Sequence, residues 1–562
     1  MKILLAQLNP IVGDLRGNFE KVYLTIKNYH GAEIIVFPEL TLTGYPPNDL
    51  LLRRGFVEEQ LAYVEDIRKL TTETEATIVL GVVTRNLGVG KPLQNSAVVF
   101  KNGLEIMRYH KQLLPTYNVF DEARYFEPGK FNQQNYFKVG GKSFGLLICE
   151  DCWNDEAICD APIYPTNPVA NTMGLFQPDA LITINASPSH IGKHTQRYDM
   201  YNRLSKKYGV PIVYVNQVGG QDSLIFDGHS FVAFPKSRVR CGVGFLEEMW
   251  LVNLDGTCLE YTTNCDENAL IYNHLVLGLR DYMKKNGFKS AVVGSSGGID
   301  SAVVLALASD AIGAENVTAI TMPAQYSSKG SVDDSVLLCK NLGIRLYNRN
   351  IEWETQYAIE TFSKTFKDEI TPPKRLTIEN LQPRIRMRIL MEFSNEYGAL
   401  VLNTTNKSEA SVGYGTIFGD VAGGLGVLMD VYKMEVYDLA RWYNEFKSGP
   451  IIPTAIIDKA PSAELWEGQK DTDSLPPYPV LDALLKLYLE RDLLTRTEIS
   501  LNKGLIQDLT LKEIKRILKL VDGAEYKRRM APPCLRIHRR AFGFGRNLPI
   551  TQRHPVSFEN VI

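Results

Sequence analysis

The sequence predicts two α/β domains in tandem, the second built on a doubly wound, mostly parallel sheet. Three observations predict it. The chain is 562 residues long, more than one ordinary core accommodates. Short apolar runs alternate with helical stretches, pause at a polar, aperiodic junction over 261–268, and then resume. The third is Ser296-Gly297-Gly298-Ile299-Asp300-Ser301, set between the apolar run Ala291-Val292-Val293 and the Ala/Leu-rich run 302–308. That string reads as a strand, a tight turn and a buried helix. Domains are expected over 1–260 and 268–562.

In the first domain, 3–8 reads as a strand, which favours a first strand over a leader segment. A helix follows at 18–29, and 34–37 is a buried strand ending at Pro38-Glu39. Strands are expected at 77–83, 97–100, 143–149, 180–185 and 212–216, and beyond Asp227 the pattern is strand-rich. Three of these segments end in a residue able to react: Glu39, Cys149 and, in Tyr109-His110-Lys111-Gln112-Leu113-Leu114-Pro115, Lys111. Taken singly, each has an ordinary reading as a turn carboxylate, a buried thiol or a surface charge. Taken together they suit amide hydrolysis through a thioester. A thiol needs a base to become a nucleophile, and a lysine ammonium can stabilise the oxyanion formed on attack.

In the second domain a helix over 270–284 leads to the Ser-Gly-Gly loop. Then come a strand at 317–322, a helix at 331–341, a strand at 345–350, a long helix at 381–397 carrying Arg384, Arg386 and Arg388, and a strand at 399–402. Such a sheet binds ligands at the carboxyl ends of its strands. The adjacent glycines allow a close backbone approach, and the helix N-terminus suits phosphate. A carboxylate such as Asp300 belongs there only with a divalent cation between it and the phosphate. Asn403-Thr404-Thr405-Asn406-Lys407-Ser408-Glu409 follows the 399 strand and should meet the Ser-Gly-Gly turn on the same edge. Glu409 is a second magnesium carboxylate there and Lys407 a phosphate contact; the alternative is a polar loop with a helix cap. This is not a Walker A loop, since Gly141-Lys142-Ser143 has Tyr136 where the first glycine belongs.

Composition narrows the function classes. Apolar residues make up 44%, charged residues 22%, and the net charge is −2, which gives no global attraction to nucleic acid or anionic membrane. No apolar stretch is long enough for a bilayer. Eight cysteines without framework spacing suit reduced thiols in the cytoplasm. Cys149 and Cys152 form an isolated CxxC, too few ligands for zinc, with a redox pair as the alternative, and Gly192 separates His190 from His194, which read as ordinary polar histidines.

The segments Phe37-Pro38-Glu39-Leu40, His110–Pro115 and Ile148–Trp153 resemble the three catalytic segments of the nitrilase superfamily. That resemblance covers about the first 260 residues. It implies a four-layer α-β-β-α sandwich, with Glu39 as base, Lys111 as oxyanion stabiliser and Cys149 as nucleophile. Glu122 matches a second glutamate that many members place near the lysine, with a surface helix charge as the alternative. Asn185-Ala186-Ser187-Pro188, Lys193 and Tyr117 resemble the glutamine-holding segments of glutaminase members, with a turn and a basic helix face as the alternative.

Ser296–Ser301 resembles the pyrophosphatase loop of the ATP pyrophosphatases. With Met322-Pro323-Ala324-Gln325-Tyr326-Ser327-Ser328, the 380–391 helix, 403–409, Tyr414–Asp420, Ala460–Leu465 and 470–478, the second half resembles NAD synthetases of the glutamine-dependent kind. The resemblance implies adenylation of deamido-NAD by ATP, displacement of AMP by ammonia drawn from glutamine, and a sheltered path for that ammonia. It carries ATP to Ser296, Gly297, Gly298, Asp300, Ser301 and Thr404, Mg2+ to Asp300 and Glu409, and deamido-NAD to Arg384, Asp420, Lys433 and Lys527. Ser462, Glu464, Asp471 and Lys527 resemble a lid. It also implies a homo-oligomer formed through the second domain.

The competing enzyme is another ATP-pyrophosphatase amidotransferase, but those resemble other glutaminase folds. A degenerate nucleotide-binding scaffold should lack a reacting residue, and none is missing. A synthetase fed by free ammonia, with an idle first domain, stays open. The basic residues Arg528, Arg529, Arg539, Arg540 and Arg546 read as nucleotide contacts or a solvated surface rather than a nucleic-acid patch.

Overall fold

Alternation along the first strand sets the architecture of the first unit. Ile3 and Leu5 enter one apolar core, while Leu4 and Ala6 enter another on the opposite face. In the computed structural model, which describes residues 1–158, 162–236, 240–255, 266–366, 373–543, 545–555 and 561, the chain forms two compact units, Met1–Asn264 and Cys265–Ile562. The polar junction expected near residue 265 lies largely outside the described residues.

The first unit holds two six-stranded mixed sheets. One runs Glu248–Asn253, Lys2–Gln7, Ile34–Val36, Thr77–Arg85, Leu93–Lys101 and Leu104–His110. The other runs Arg240–Cys241, Phe231–Ala233, Ile212–Asn216, Ala180–Asn185, Lys142–Ile148 and Tyr136–Val139. Between the sheets, Ile3, Leu5, Val36 and Val99 meet Phe144, Ile148, Ile182 and Val213. On the outer face of the first sheet, Leu4, Ile35 and Ile78 pack with Val22 and Ile26 of helix Leu15–Asn28 and Ile67 of helix Phe56–Leu70. On the outer face of the second, Leu147, Leu181 and Tyr214 pack with Val169 of helix Pro168–Phe176 and Tyr201 and Leu204 of helix Lys193–Tyr208. The layers are therefore helix, sheet, sheet, helix, as expected.

The second unit has a five-stranded sheet, parallel throughout, in the order Arg345–Asn348, Val317–Thr321, Ala291–Gly294, Leu400–Asn403 and Leu425–Gly426. In chain order this is 3-2-1-4-5, so the winding reverses between Ala291–Gly294 and Leu400–Asn403. Ile385, Met387 and Leu390 of helix Arg375–Tyr397 cover Val292, Ile320 and Val401. Helix Ile299–Ile312 packs against Ala291–Gly294 and Val317–Thr321, with Glu267–Lys285 and Lys433–Phe446 beside it.

The sequence reading missed the helices Tyr478–Leu489, Arg496–Leu505 and Leu511–Gly523, which build a further apolar cluster around Leu481, Leu484, Ile517 and Leu518. The C-terminal arginines serve the structure here: Arg528 binds Glu525, Arg540 binds Asp492 and Arg546 binds Asp522.

Candidate active sites

In the first unit, three sequence-distant segments meet where their strands end. The chain beyond Ile34–Val36 continues alongside Thr77–Arg85: Phe37 N–H donates to Val79 O, and Thr41 N–H donates to Gly81 O. Glu39 sits on this continuation, fully buried. Gly81 makes the approach possible, since a Cβ there would lie 2.4 Å from Pro38 O and 2.7 Å from Glu39 Cα. The Lys111 ammonium donates to Glu39 Oε1 at 2.7 Å and to Glu122 Oε1 at 2.7 Å. Asn95 Nδ2 donates to both carboxylates, at 2.7 and 3.3 Å, Ala186 N–H to Glu39 Oε2 at 3.0 Å, and Tyr45 O–H to Glu122 at 2.9 Å.

Burial opposes the charge on Lys111, but the Glu122 and Glu39 carboxylates outweigh it and hold the ammonium well above the usual lysine range. Burial also raises Glu122, to about 7 even with Lys111 beside it.

Cys149 opens a 3-10 turn, Cys149–Cys152, directly after strand Lys142–Ile148. Its φ of 43° lies in the left-handed region, uncommon for a residue with a Cβ. Burial, and then the Glu39 charge, push its thiol well above the ordinary value, while Lys111 pulls the other way. The resting thiol is therefore protonated, and attack requires a base.

Around the thiol, Tyr117 and Tyr164 donate to Glu150, at 2.9 and 3.0 Å. The Ser187 N–H donates to Asn216 Oδ1 at 2.9 Å. The Lys193 ammonium lies 3.7 Å from the centre of the Trp153 ring, a cation–π contact. Glu150, Asn95 and Tyr45 carry no sequence signal beyond their neighbourhood, and the sequence reading missed them.

In the second unit, the Ser-Gly-Gly loop lies at the winding reversal. Gly297 has φ 71°, and a Cβ there would stand 2.3 Å from Ser331 O, so this position admits only glycine. The loop meets the 403–409 segment as expected. Asn406 caps helix Lys407–Val412 by accepting from Glu409 N–H at 2.9 Å, and its Nδ2 donates to Asp300 Oδ1 at 2.9 Å. The Lys433 ammonium lies 2.5 Å from Asp300 Oδ2 and 3.2 Å from Glu409 Oε1. Burial raises Glu409 to about 8, with Lys433 pulling it down. Asp300, Glu409 and Lys433 face a cleft of about 590 Å³, which Ser296, Gly297, Gly298, Thr404, Asp420, Ser462, Glu464 and Asp471 also line. That volume suits a nucleotide-sized ligand.

Three expected nucleotide contacts do not line this cleft. Ser301 is buried beneath the loop, its hydroxyl donating to Gly298 O and within 3.2 Å of Ser296 Oγ. Arg384 is exposed and donates to Ile417 O; Arg386, two residues and about 200° further round the helix, lines the cleft instead. Lys527 donates to Gly413 O and Gly415 O beside a separate small cavity.

Lys407 is also corrected. It is fully buried between Asp430, at 2.8 Å, and Glu490, at 2.5 Å, so it braces the loop from below rather than facing phosphate. Lys459, missed from sequence, reaches the loop by donating to Gly297 O at 3.2 Å.

Asp300 and Glu409 supply hard oxygen donors on one side of an open cleft, which is what Mg2+ requires when substrate phosphates and water complete its shell. Lys433 now occupies the space between them. Among the described residues, no cluster of three or more His, Cys, Asp or Glu forms a self-contained metal cage. No described helix is long and apolar enough to cross a membrane.

Comparison with known proteins assigns a family to each unit. The carbon-nitrogen hydrolase family model matches residues 2–261, and the NAD synthase model matches 271–531. A glutamine-dependent NAD(+) synthetase of Synechocystis is 40% identical, covering 98% of this chain and 99% of its own. That of Thermotoga maritima is 38% identical over the same shares. The glutamine-dependent NAD+ synthetase of Acinetobacter baumannii, solved in complex with adenosine diphosphate, superimposes with a TM-score of 0.76 at 37% identity, covering 98% of each chain. With curated relatives this similar along nearly its whole length, the chain belongs to the family of glutamine-dependent NAD+ synthetases.

Proposed function

We propose that this chain converts deamido-NAD to NAD, hydrolysing glutamine at Cys149 for the nitrogen and using ATP to activate the acceptor. In the first unit Glu39 takes the thiol proton as Sγ attacks the glutamine amide carbon. Lys111 stabilises the oxyanion. Glu39 then delivers its proton to the leaving nitrogen, ammonia departs, and water cleaves the thioester to glutamate. Tyr117, Ser187 and Lys193 hold the amino-acid end. The observation that supports this most is the buried Lys111 ammonium, 2.7 Å from Glu39, with both charges acting on Cys149.

In the second unit the backbone of Ser296, Gly297 and Gly298 cradles the ATP pyrophosphate, with Thr404 beside it. Asp300 and Glu409 would hold Mg2+, which when bound would supply positive charge against that of the departing pyrophosphate. Lys433, now paired with both carboxylates, would offer its ammonium to the phosphate oxygens. Asp420 and Arg386 face the acceptor nucleotide. Arg384, Ser301 and Lys527 lie outside the cleft and drop out of the proposed contacts. The nicotinate carboxylate attacks the α-phosphorus, pyrophosphate leaves, and ammonia displaces AMP.

We place the enzyme in the cytoplasm as a homo-oligomer formed through the second unit, where Trp353, Tyr357 and Tyr397 are exposed. Light scattering of the purified chain tests the assembly.

The function is tested by supplying ATP, magnesium, deamido-NAD and either glutamine or ammonium, and following NAD by chromatography. The parent is expected to use both nitrogen sources and Cys149→Ala only ammonium. No NAD from either source overturns the synthetase reading. NAD from ammonium alone in the parent favours the idle-first-domain reading.

A further inference from the structure

We infer that Asp151 is a positioning residue for glutamine hydrolysis: its one buried carboxylate fixes the Lys111 segment against the Cys149 turn. The inference rests on the proposed glutaminase reading of the first unit.

Each Asp151 oxygen accepts two hydrogen bonds. Oδ1 takes the backbone N–H groups of Gln112 and Leu113, at 3.1 and 3.0 Å. Oδ2 takes the Tyr109 hydroxyl at 2.8 Å and the Ile148 N–H at 3.0 Å. A carboxylate offers about four acceptor sites, and all four are filled.

The donors decide the meaning. A local turn cap explains Ile148, three residues away, but not the other three. Tyr109, Gln112 and Leu113 bracket Lys111 on both sides, and Ile148 immediately precedes Cys149. Asp151 therefore clamps the chain around the oxyanion-stabilising lysine to the chain around the nucleophile. It is fully buried and touches neither reacting side chain in its hydrogen bonds. Burial raises it to about 6, so it is ionised, and a full acceptor, at neutral pH.

Among the described residues, nothing else in the hydrogen-bonding of Lys111 makes this link, its carbonyl accepting from Gly129 N–H. Its ammonium is held by Glu39 and Glu122, and its N–H by Asn95 O, all outside the cysteine turn. Without Asp151, Lys111 stays charged and paired, yet its register with Cys149 is no longer imposed. A misplacement of about 1 Å costs roughly 10²-fold in rate.

Asp151→Asn tests this. It preserves shape but turns an NH2 toward at least one buried backbone N–H, whichever way the amide lies, since only the Tyr109 hydroxyl can turn to accept. In the full chain, kcat for glutamine hydrolysis is expected to fall about 10²-fold with KM for glutamine within about twofold. Ammonium-driven NAD formation should be unchanged, which reports the second unit intact. As Lys111 loosens from the thiol, iodoacetamide alkylation of Cys149 should shift to higher pH. Tyr109→Phe, which removes one donor and leaves the backbone contacts, should give a smaller fall in kcat and a smaller shift in the same directions. It carries the test if Asp151→Asn fails to fold.

A parental kcat and alkylation profile in Asp151→Asn overturns the inference, even with a lowered melting temperature. So does a raised KM with kcat retained, which would assign Asp151 to substrate binding. If Asp151→Asn does not fold, a parental kcat and profile in Tyr109→Phe overturns it. A parent without glutaminase activity overturns instead the reading on which the inference rests.

Discussion

Lys111 Nζ lies 2.7 Å from Glu39 Oε1, and neither side chain is exposed to solvent. The same ammonium also neutralises Glu122, so the two partners are not equivalent. Lys111→Met strands two buried carboxylates, whereas Glu39→Gln leaves the Lys111–Glu122 pair intact. Removing one partner of a buried pair costs about 3–5 kcal/mol. Lys111→Met is expected to lose that much in the first unit's unfolding transition and Glu39→Gln clearly less, although both abolish glutaminase activity. Urea unfolding of the two variants checks the order.

The Glu39 charge raises the Cys149 thiol, after burial, while Lys111 lowers it. Glu39→Gln removes the raising charge and keeps the lowering one. Alkylation of Cys149 by iodoacetamide, followed against pH, should therefore move to lower pH in Glu39→Gln, even as glutamine hydrolysis stops. A shift to higher pH would mean that Glu39 does not act on the thiol.

Gly81 touches no substrate, yet its missing Cβ is the space through which Glu39 passes. Gly81→Ala must push the Pro38–Leu40 backbone, because the nearest atoms are main chain rather than a flexible side chain. Glutamine-driven NAD formation is expected to fall about 10²-fold, with ammonium-driven synthesis retained. Steady-state rates with the two nitrogen sources check it.

Burial holds Glu409 at about 8, above the value of about 4.3 for a free glutamate. Between those values the folded state binds more protons than the unfolded one, so this group's contribution falls as pH rises from about 4.5 to 8. Glu409→Gln removes the dependence and leaves Lys433 paired with Asp300. The variant should match the parent near pH 4.5 and become the more stable of the two toward pH 8, while losing NAD synthesis. Thermal unfolding of the second unit's transition across that range checks the sign.

Much of this was legible because the proposed site residues lie where apolar strands stop. Glu39, Cys149 and Asp300 each follow a buried strand, and the run of apolar residues marks the place. The meeting of Asp300 with the 403–409 segment followed from the winding rule, and the Asn406 side chain now links the Asp300 carboxylate to the Glu409 backbone N–H. Rotation about the helix was not legible. Arg384, Arg386 and Arg388 lie on a helix with little amphipathic pattern, so the sequence gives no reason to prefer Arg386. Nor was the division of labour between Lys407 and Lys433, since Asp430 and Glu490, which take up Lys407, come from distant segments. Asp151 was hidden for the same reason: three of its donors lie about forty residues upstream.

The most direct measurement supplies glutamine labelled with 15N in its amide, together with unlabelled ammonium, ATP, magnesium and deamido-NAD, and reads the isotope in the carboxamide of the NAD formed. The account predicts labelled NAD from the parent and unlabelled NAD from Cys149→Ala. Unlabelled NAD from the parent, with glutamine hydrolysis intact, would contradict it.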